Sequence, residues 1–180
     1  MSEKYKVRDS AIPHFMTMTV TNWVDLFTRQ EFRDILIDSL KYCIENRGLS
    51  LHAYCIMSNH IHLIASSQTI GLNFIIRDFK KYTSKQLITA INRTSESRKV
   101  WLLKKFKFAS DRVKRGRNYK IWKDGFHPVE LNTNMMLEER LDYVHNNPVE
   151  ARIVWLPEDY VFSSASNYQD KETILKVEFL

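Results

Sequence analysis

Apolar and polar positions change rhythm several times along this chain, and each change marks an element. Residues 14–21 set Phe15, Met16, Met18 and Val20 among threonines, a β-rich run that predicts a strand, and Pro13 stops it extending backwards. Residues 31–46 place Phe32, Ile35, Leu36, Leu40, Cys43 and Ile44 three and four apart, the spacing of one helical face, with Gly48 as the stop. Residues 51–57 and 60–65 are short β-rich runs joined by Ser58 and Asn59, which predicts a hairpin. The helical period returns over residues 70–92 through Leu72, Ile75, Ile76, Phe79, Leu87, Ile88 and Ile91. The stretch 98–123 keeps no clear period and reads as a long loop with a short helix at 99–107. Residues 125–131 offer a fourth strand, which Pro128 confines to an edge or an end. A third helix is expected over 135–147, capped from 132–134 and ended or kinked by Pro148.

In order, these elements give β-α-β-β-α-β and a further helix. That is the split βαβ pattern of an α+β, ferredoxin-like (RRM-like) antiparallel sheet, with two helices on one face and the other face free for a ligand or the added C-terminal helix. The 180 residues suit one domain, 1–180, with a core of about 14–150 and a Trp/Pro/Ser-rich tail, 151–180.

Composition narrows the class. Apolar residues at 44% and charged residues at 27% exclude the signature of disorder. No run is apolar enough to span a membrane and the charged N-terminus has no signal-like apolar region, so the expectation is a soluble, cytoplasmic protein. Cys43 and Cys55 fall in a predicted helix and strand and are expected as buried free thiols. Charge is unevenly spread: residues 98–123 hold 11 basic side chains against Asp111 alone, whereas the rest of the chain is mildly acidic. Such asymmetry points to a polyanion partner. Lys104, Lys105, Lys107, Arg112, Lys114, Arg115, Arg117 and Lys120 are the candidate contacts, and Lys80, Lys81 and Lys85 on the second helix extend the surface or simply solvate it. Trp101, Phe106, Tyr119 and Trp122, interleaved with these cations, either stack on bases or plug into the core.

Two local patterns could carry chemistry. His60 and His62 lie two apart in a strand, so both rings project from one face while Ile61 and Leu63 point into the other layer. Imidazoles at this spacing can share a divalent ion, although solvated or internally satisfied histidines are the commoner meaning of the bare pattern. Tyr143 and Asn147 are four apart near the end of the third helix and share a face, where an amide oxygen suits Mg²⁺ or Mn²⁺. If that helix crosses the open sheet face, Asn147 completes a His-His-Asn set beside Tyr143; otherwise Tyr143 is a surface residue of a helix ending at Asn-Asn-Pro. His145, two from Tyr143, faces elsewhere.

Taken together, the stretch from Ala53 to Ile64 and that from Asp142 to Ala151 resemble the HUH-type single-tyrosine transposases. The Lys-rich second helix, residues 121–127 and residues 157–164 extend the resemblance over about 14–168, and the tail is most similar to the REP-associated tyrosine transposase branch, which acts on repeated palindromes. The resemblance implies that His60 and His62 match the metal-binding histidines, Tyr143 the nucleophile and Asn147 the third ligand, with Mg²⁺ or Mn²⁺ as cofactor. It further implies a single-stranded, hairpin-forming DNA partner, no membrane association, and a homodimer as one of the assemblies found among relatives. The implied reaction is transesterification through a 5′-phosphotyrosine. The chain departs at Arg152, where relatives often carry Gly. Three other readings compete: a non-catalytic nucleic-acid-binding module, which would carry aromatics rather than histidines on the central strands; a domesticated DNA-nicking relative; and a structural zinc protein, disfavoured because neither cysteine lies at ligand spacing.

Overall fold

The computed structural model describes residues 7–112 and 118–180. Its elements are β1 (His14–Thr19), α1 (Gln30–Arg47), β2 (Ser50–Ile56), β3 (His60–Ser66), α2 (Leu72–Arg93), α3 (Lys99–Asp111), β4 (Val129–Glu130) and α4 (Asn134–Glu150). The strands form one antiparallel sheet in the order β2-β3-β1-β4, the ferredoxin-like arrangement expected from the element order.

Register fixes which side chains share a face. Met16 lies opposite Leu63 and Met18 opposite Ile61. All four are fully buried in the apolar core that also takes the inner faces of α1 and α2. The alternate positions, with Thr17 opposite His62 and Phe15 opposite Ile64, form the second face, and α4 packs across it against β2 and β3. Gly48 closes α1 at φ +67°, where its N–H bonds the Cys43 carbonyl, and a Cβ there would run into the Thr69 hydroxyl. Both cysteines are free and buried, as expected.

Three expectations need correction. The stretch after α2 is helical through Asp111 rather than only to 107, because Leu102, Phe106 and Ala109 recur at three- and four-residue spacing and bury one face. The fourth strand is only two residues long, since Gly125 and His127 both take positive φ and break the extended backbone ahead of Pro128. The missing length is supplied by other contacts to the β1 edge: Thr17 N–H bonds the Phe126 carbonyl, Thr21 N–H that of Ile121, and Lys123 N–H that of Thr19. Finally, α4 runs past Pro148 to Glu150, so the proline sits inside the last turn, where it removes one backbone donor without ending the helix.

The tail is not a loose extension. Ile56 N–H bonds the Phe162 carbonyl, Ser164 N–H bonds that of Tyr54, and Tyr160 donates its hydroxyl to the Ile56 carbonyl at 2.7 Å. Glu178 N–H likewise bonds the Leu51 carbonyl. Residues 160–178 thus cover the outer edge of β2, which would otherwise offer unpaired backbone groups.

The exit from α4 is a Schellman closure, in which Ile153 N–H bonds the Pro148 carbonyl and Arg152 N–H that of Val149. Arg152 therefore sits at φ +57°, in the position glycine fills without strain. Replacing Arg152 with Gly should raise the free energy of unfolding by about 1 kcal/mol. Urea denaturation would detect this as a higher midpoint at unchanged slope; an unchanged or lower midpoint would refute it.

Candidate functional site

The face of β3 turned toward α4 carries His60 and His62, whose ring centroids are 4.6 Å apart. From α4, Tyr143 reaches over the sheet so that its ring lies 5.2 Å from His62 and 5.7 Å from Phe15, edge-on to each. Phe15 stacks on His62 from below at 5.4 Å. Tyr143 nevertheless remains 40% exposed, so its hydroxyl is within reach of a ligand from solvent. The structure therefore brings together the four residues singled out in the sequence, His60, His62, Tyr143 and Asn147, with Asn147 one turn beyond Tyr143.

Local hydrogen bonds orient each donor. The Asp25 carboxylate can only accept, and Asn59 Nδ2 donates to it at 2.9 Å, so the Asn59 carbonyl oxygen is the atom 2.7 Å from His60 Nδ1. That oxygen requires a proton on Nδ1, which leaves the lone pair of His60 on Nε2. Ser58 Oγ braces the same Asp25 oxygen at 2.6 Å. Thr17 Oγ1 holds His62 Nδ1 at 2.9 Å, while His62 Nε2 is buried with no hydrogen-bond partner among the described residues. Asn147 donates Nδ2 to the Tyr143 carbonyl at 2.9 Å, which leaves its amide oxygen as the free end. Asp25, Asn59 and Thr17 were not foreseen from the sequence; they stand far apart along the chain and only the β1–β3 register and the hairpin turn join them.

Electrostatics keeps the imidazoles neutral. Burial lowers His62 to about 3, helped by the neighbouring His60 and by the Arg140 guanidinium, while Asn147 pulls in the opposite direction. Burial lowers His60 as well, again opposed by Asn147. A neutral imidazole with its free nitrogen turned inward is the form that binds a cation. Among the described residues no cluster of three His, Cys, Asp or Glu side chains could hold an ion, so a cation here would take two imidazole nitrogens and the Asn147 oxygen. Two imidazole nitrogens, one of them buried without a partner among the described residues, and an amide oxygen are a donor set that a divalent cation could share.

Beside His60, Asn22 and Trp23 both adopt positive φ, and the turn they make holds the Trp23 ring edge-on 6.3 Å from that histidine and 59% exposed. The Lys123 ammonium sits 4.0 Å over the Trp23 ring. His145 points away from this group, as expected: it is buried, shares a 2.9 Å hydrogen bond with Ser164, and is lowered to about 4 by burial.

The cationic candidates divide. Lys104, Lys105 and Lys107 are exposed on α3 and Arg112 at its C-cap, and Trp101, Lys104, Lys105, Phe108 and Arg112 fall on one stripe. Lys105 sits 5.7 Å over the Trp101 ring and Arg112 5.7 Å over Phe108. Lys107 and Lys120 pair with Asp111 and Asp124 at 2.6 and 2.7 Å. Lys81 and Lys85 are exposed on α2, whereas Lys114, Arg115 and Arg117 lie outside the described residues. Lys80 does not join the exposed surface: its ammonium donates to the Lys123 and Gly125 carbonyls and ties down that loop. Of the interleaved aromatics, Trp101 is exposed, Phe106 is core, Tyr119 is half-buried, and Trp122 is buried with its indole N–H on Thr83 Oγ1 at 3.0 Å.

Comparison with known proteins agrees with this architecture. Residues 9–111 match the family described as "Transposase IS200 like", and the chain belongs to that family. The matched span carries both histidines and stops before α4. A solved structure of a REP-associated tyrosine transposase bound to a REP hairpin shares the fold at TM-score 0.66 and 17% identity, over 99% of this chain and 92% of that one. A candidate transposase from Deinococcus radiodurans R1 aligns at TM-score 0.44 and 15% identity over 78% of this chain and 95% of that one. No curated protein sequence matches. No helix among the described residues is long and apolar enough to cross a membrane.

Lys80 supplies a test of the site's surroundings. Burial lowers its ammonium to about 8 from 10.5, with Asp124 raising it and Lys120 lowering it further. Between those two values the unfolded chain holds a proton that the folded one has released, so stability increases as pH rises through this window and is at its least favourable, and flat, below it. The stability of the wild type relative to Lys80→Met should therefore grow between about pH 8 and about pH 10 in urea titrations. A constant difference would show that the amine titrates normally.

Proposed function

We propose that this chain is a metal-dependent, HUH-type tyrosine transposase that cleaves and rejoins single-stranded DNA at hairpin-forming sequences through a 5′-phosphotyrosine intermediate. One observation carries the reading: the Tyr143 ring from α4, with Asn147 one turn further on the same helix, lies 5.2 Å from His62 over the sheet face that also holds His60. A Mn²⁺ or Mg²⁺ ion held by His60, His62 and Asn147 would polarise the scissile phosphate and neutralise its charge.

The chain's own residues supply the rest. The stacked Phe15 and His62 rings meet the Tyr143 ring edge-on, which limits its freedom and lowers the entropic cost of in-line attack. The Tyr143 oxygen forms a bond to phosphorus and gives up its proton; the bond from phosphorus to the 3′-oxygen breaks, and that oxygen takes a proton to become a 3′-hydroxyl. One phosphodiester replaces another, so no nucleotide cofactor is consumed. A 3′-hydroxyl from a second end reverses the step and completes strand transfer. Asp25 and Asn59 hold His60 in the tautomer with its lone pair on Nε2, and Thr17 holds the His62 ring in place, an arrangement on which metal sites commonly depend.

The stripe on α3 suits the substrate: cations neutralise phosphates while Trp101 and Phe108 present ring faces to unpaired bases. This helix packs beside the turn that carries Trp23, so the cationic surface leads toward His60. A hairpin is favoured as the ligand because a solved structure sharing this fold is bound to one.

Labelled single-stranded oligonucleotides from DNA flanking the gene, incubated with the full chain and Mn²⁺, should yield a covalent adduct on a denaturing gel. Chelator, or Tyr143→Phe, should abolish it. An adduct that survives in Tyr143→Phe would remove this tyrosine from the mechanism, and binding without any adduct would favour a non-catalytic module. Reversing Lys104, Lys105 and Arg112 to Glu should weaken oligonucleotide binding at least about tenfold and flatten the salt dependence of log K by about 2. Anisotropy titrations at several salt concentrations would read this, and an unchanged slope would place the DNA elsewhere.

A further inference from the structure

Arg140 lies one turn before Tyr143 on α4 and enters neither the proposed cation site nor the α3 stripe. Its guanidinium carbon sits 5.0 Å over the Phe15 ring and 5.9 Å from the Tyr143 ring, so it closes one side of the group formed by Phe15, His62 and Tyr143. Among the described residues the half-buried arginines are Arg33, Arg47, Arg98 and Arg140. Arg33 donates to the Phe27 carbonyl at 2.6 Å, Arg47 to Asp78 at 3.1 Å, and Arg98 to Glu96 at 3.1 Å and to the Asp25 carbonyl at 2.8 Å. For Arg140 the contacts are ring faces alone, with no hydrogen-bonded oxygen among the described residues.

A half-buried guanidinium with no protein acceptor among the described residues keeps its planar fork of five donors available to an arriving anion. Ring faces attract its charge but leave its N–H edge unused. The guanidinium is also close enough to His62 for its charge to bear on that imidazole, so it belongs to the electrostatics of the site and not to the outer surface.

We propose that Arg140 binds a non-bridging oxygen of the scissile phosphate and holds that phosphate against the Tyr143 hydroxyl. The proposal rests on the transposase reading above and adds a residue that acts on the charge developing at phosphorus as the Tyr143–phosphorus bond forms and the bond to the 3′-oxygen breaks. The planar fork suits two oxygens of one phosphate, which a lysine ammonium matches only as a point charge. A purely structural role is the competing account, in which Arg140 merely covers Phe15.

The test uses the full chain, Mn²⁺ and the oligonucleotide on which the wild type forms its adduct, with single-turnover adduct formation and anisotropy read in parallel. Arg140→Ala should slow adduct formation about a hundredfold while DNA affinity changes only a few-fold. Arg140→Lys should recover part of the rate, and free guanidinium ion should restore part of it to Arg140→Ala but none to Tyr143→Phe. Such rescue is outside the reach of a side chain that only packs on Phe15. Arg140→Ala within about threefold of wild type, or a slow Arg140→Ala that neither lysine nor guanidinium improves, would overturn the assignment. A wild type that forms no adduct on any hairpin or with either ion would overturn the transposase reading itself, and the assignment with it.

Discussion

The candidate site depends on one constraint, the register of β3 against β1. Ile61 and Leu63 are fully buried on the helical side of the sheet, opposite Met18 and Met16. A slip of one residue would turn those apolar side chains toward α4 and drive His60 and His62 into the apolar core, so hydrophobic burial on one face sets the histidines on the other. The same register places Thr17 beside His62 Nδ1, and the hairpin turn that begins β3 places Asn59 beside His60. Core packing and the orientation of the two imidazoles are thus consequences of one alignment.

A second element must meet that face at the right height, and the tail holds it there. Val144 and Pro148 bury one side of α4, and His145 bonds Ser164, which itself accepts from Tyr54 N–H on β2. Residues 160–164 therefore serve two ends, covering the β2 edge and tying α4 to the sheet. Tyr143 and Asn147 remain on the side facing the histidines because the buried residues of α4 leave them no other position.

Charge is partitioned accordingly. The neutral imidazoles, the Asn147 oxygen and the Arg140 guanidinium gather around Tyr143 in the candidate site, while the exposed cations of α3 lie further out, beside the turn carrying Trp23. Residues in the left-handed region at Asn22 and Trp23 store strain where an aromatic ring is presented to solvent near His60, a cost that a packed core would not require.

Much of this was legible in the sequence, because periods of two and three to four residues report directly on which face is buried. The element order, the face shared by His60 and His62, and the pairing of Tyr143 with Asn147 follow from such spacing. What the chain could not reveal one position at a time concerns residues whose roles depend on distant partners. Lys80 reads as one more surface cation, yet it bonds two loop carbonyls; Arg140 reads as an ordinary helix arginine, yet it lies over Phe15. Asp25, Asn59 and Thr17 carry no periodic signal at all. Local sequence determines periodicity and caps, but hydrogen bonds between side chains far apart in the chain, and the placing of the Arg140 guanidinium over the Phe15 ring, are decided only when β1, β3 and α4 meet.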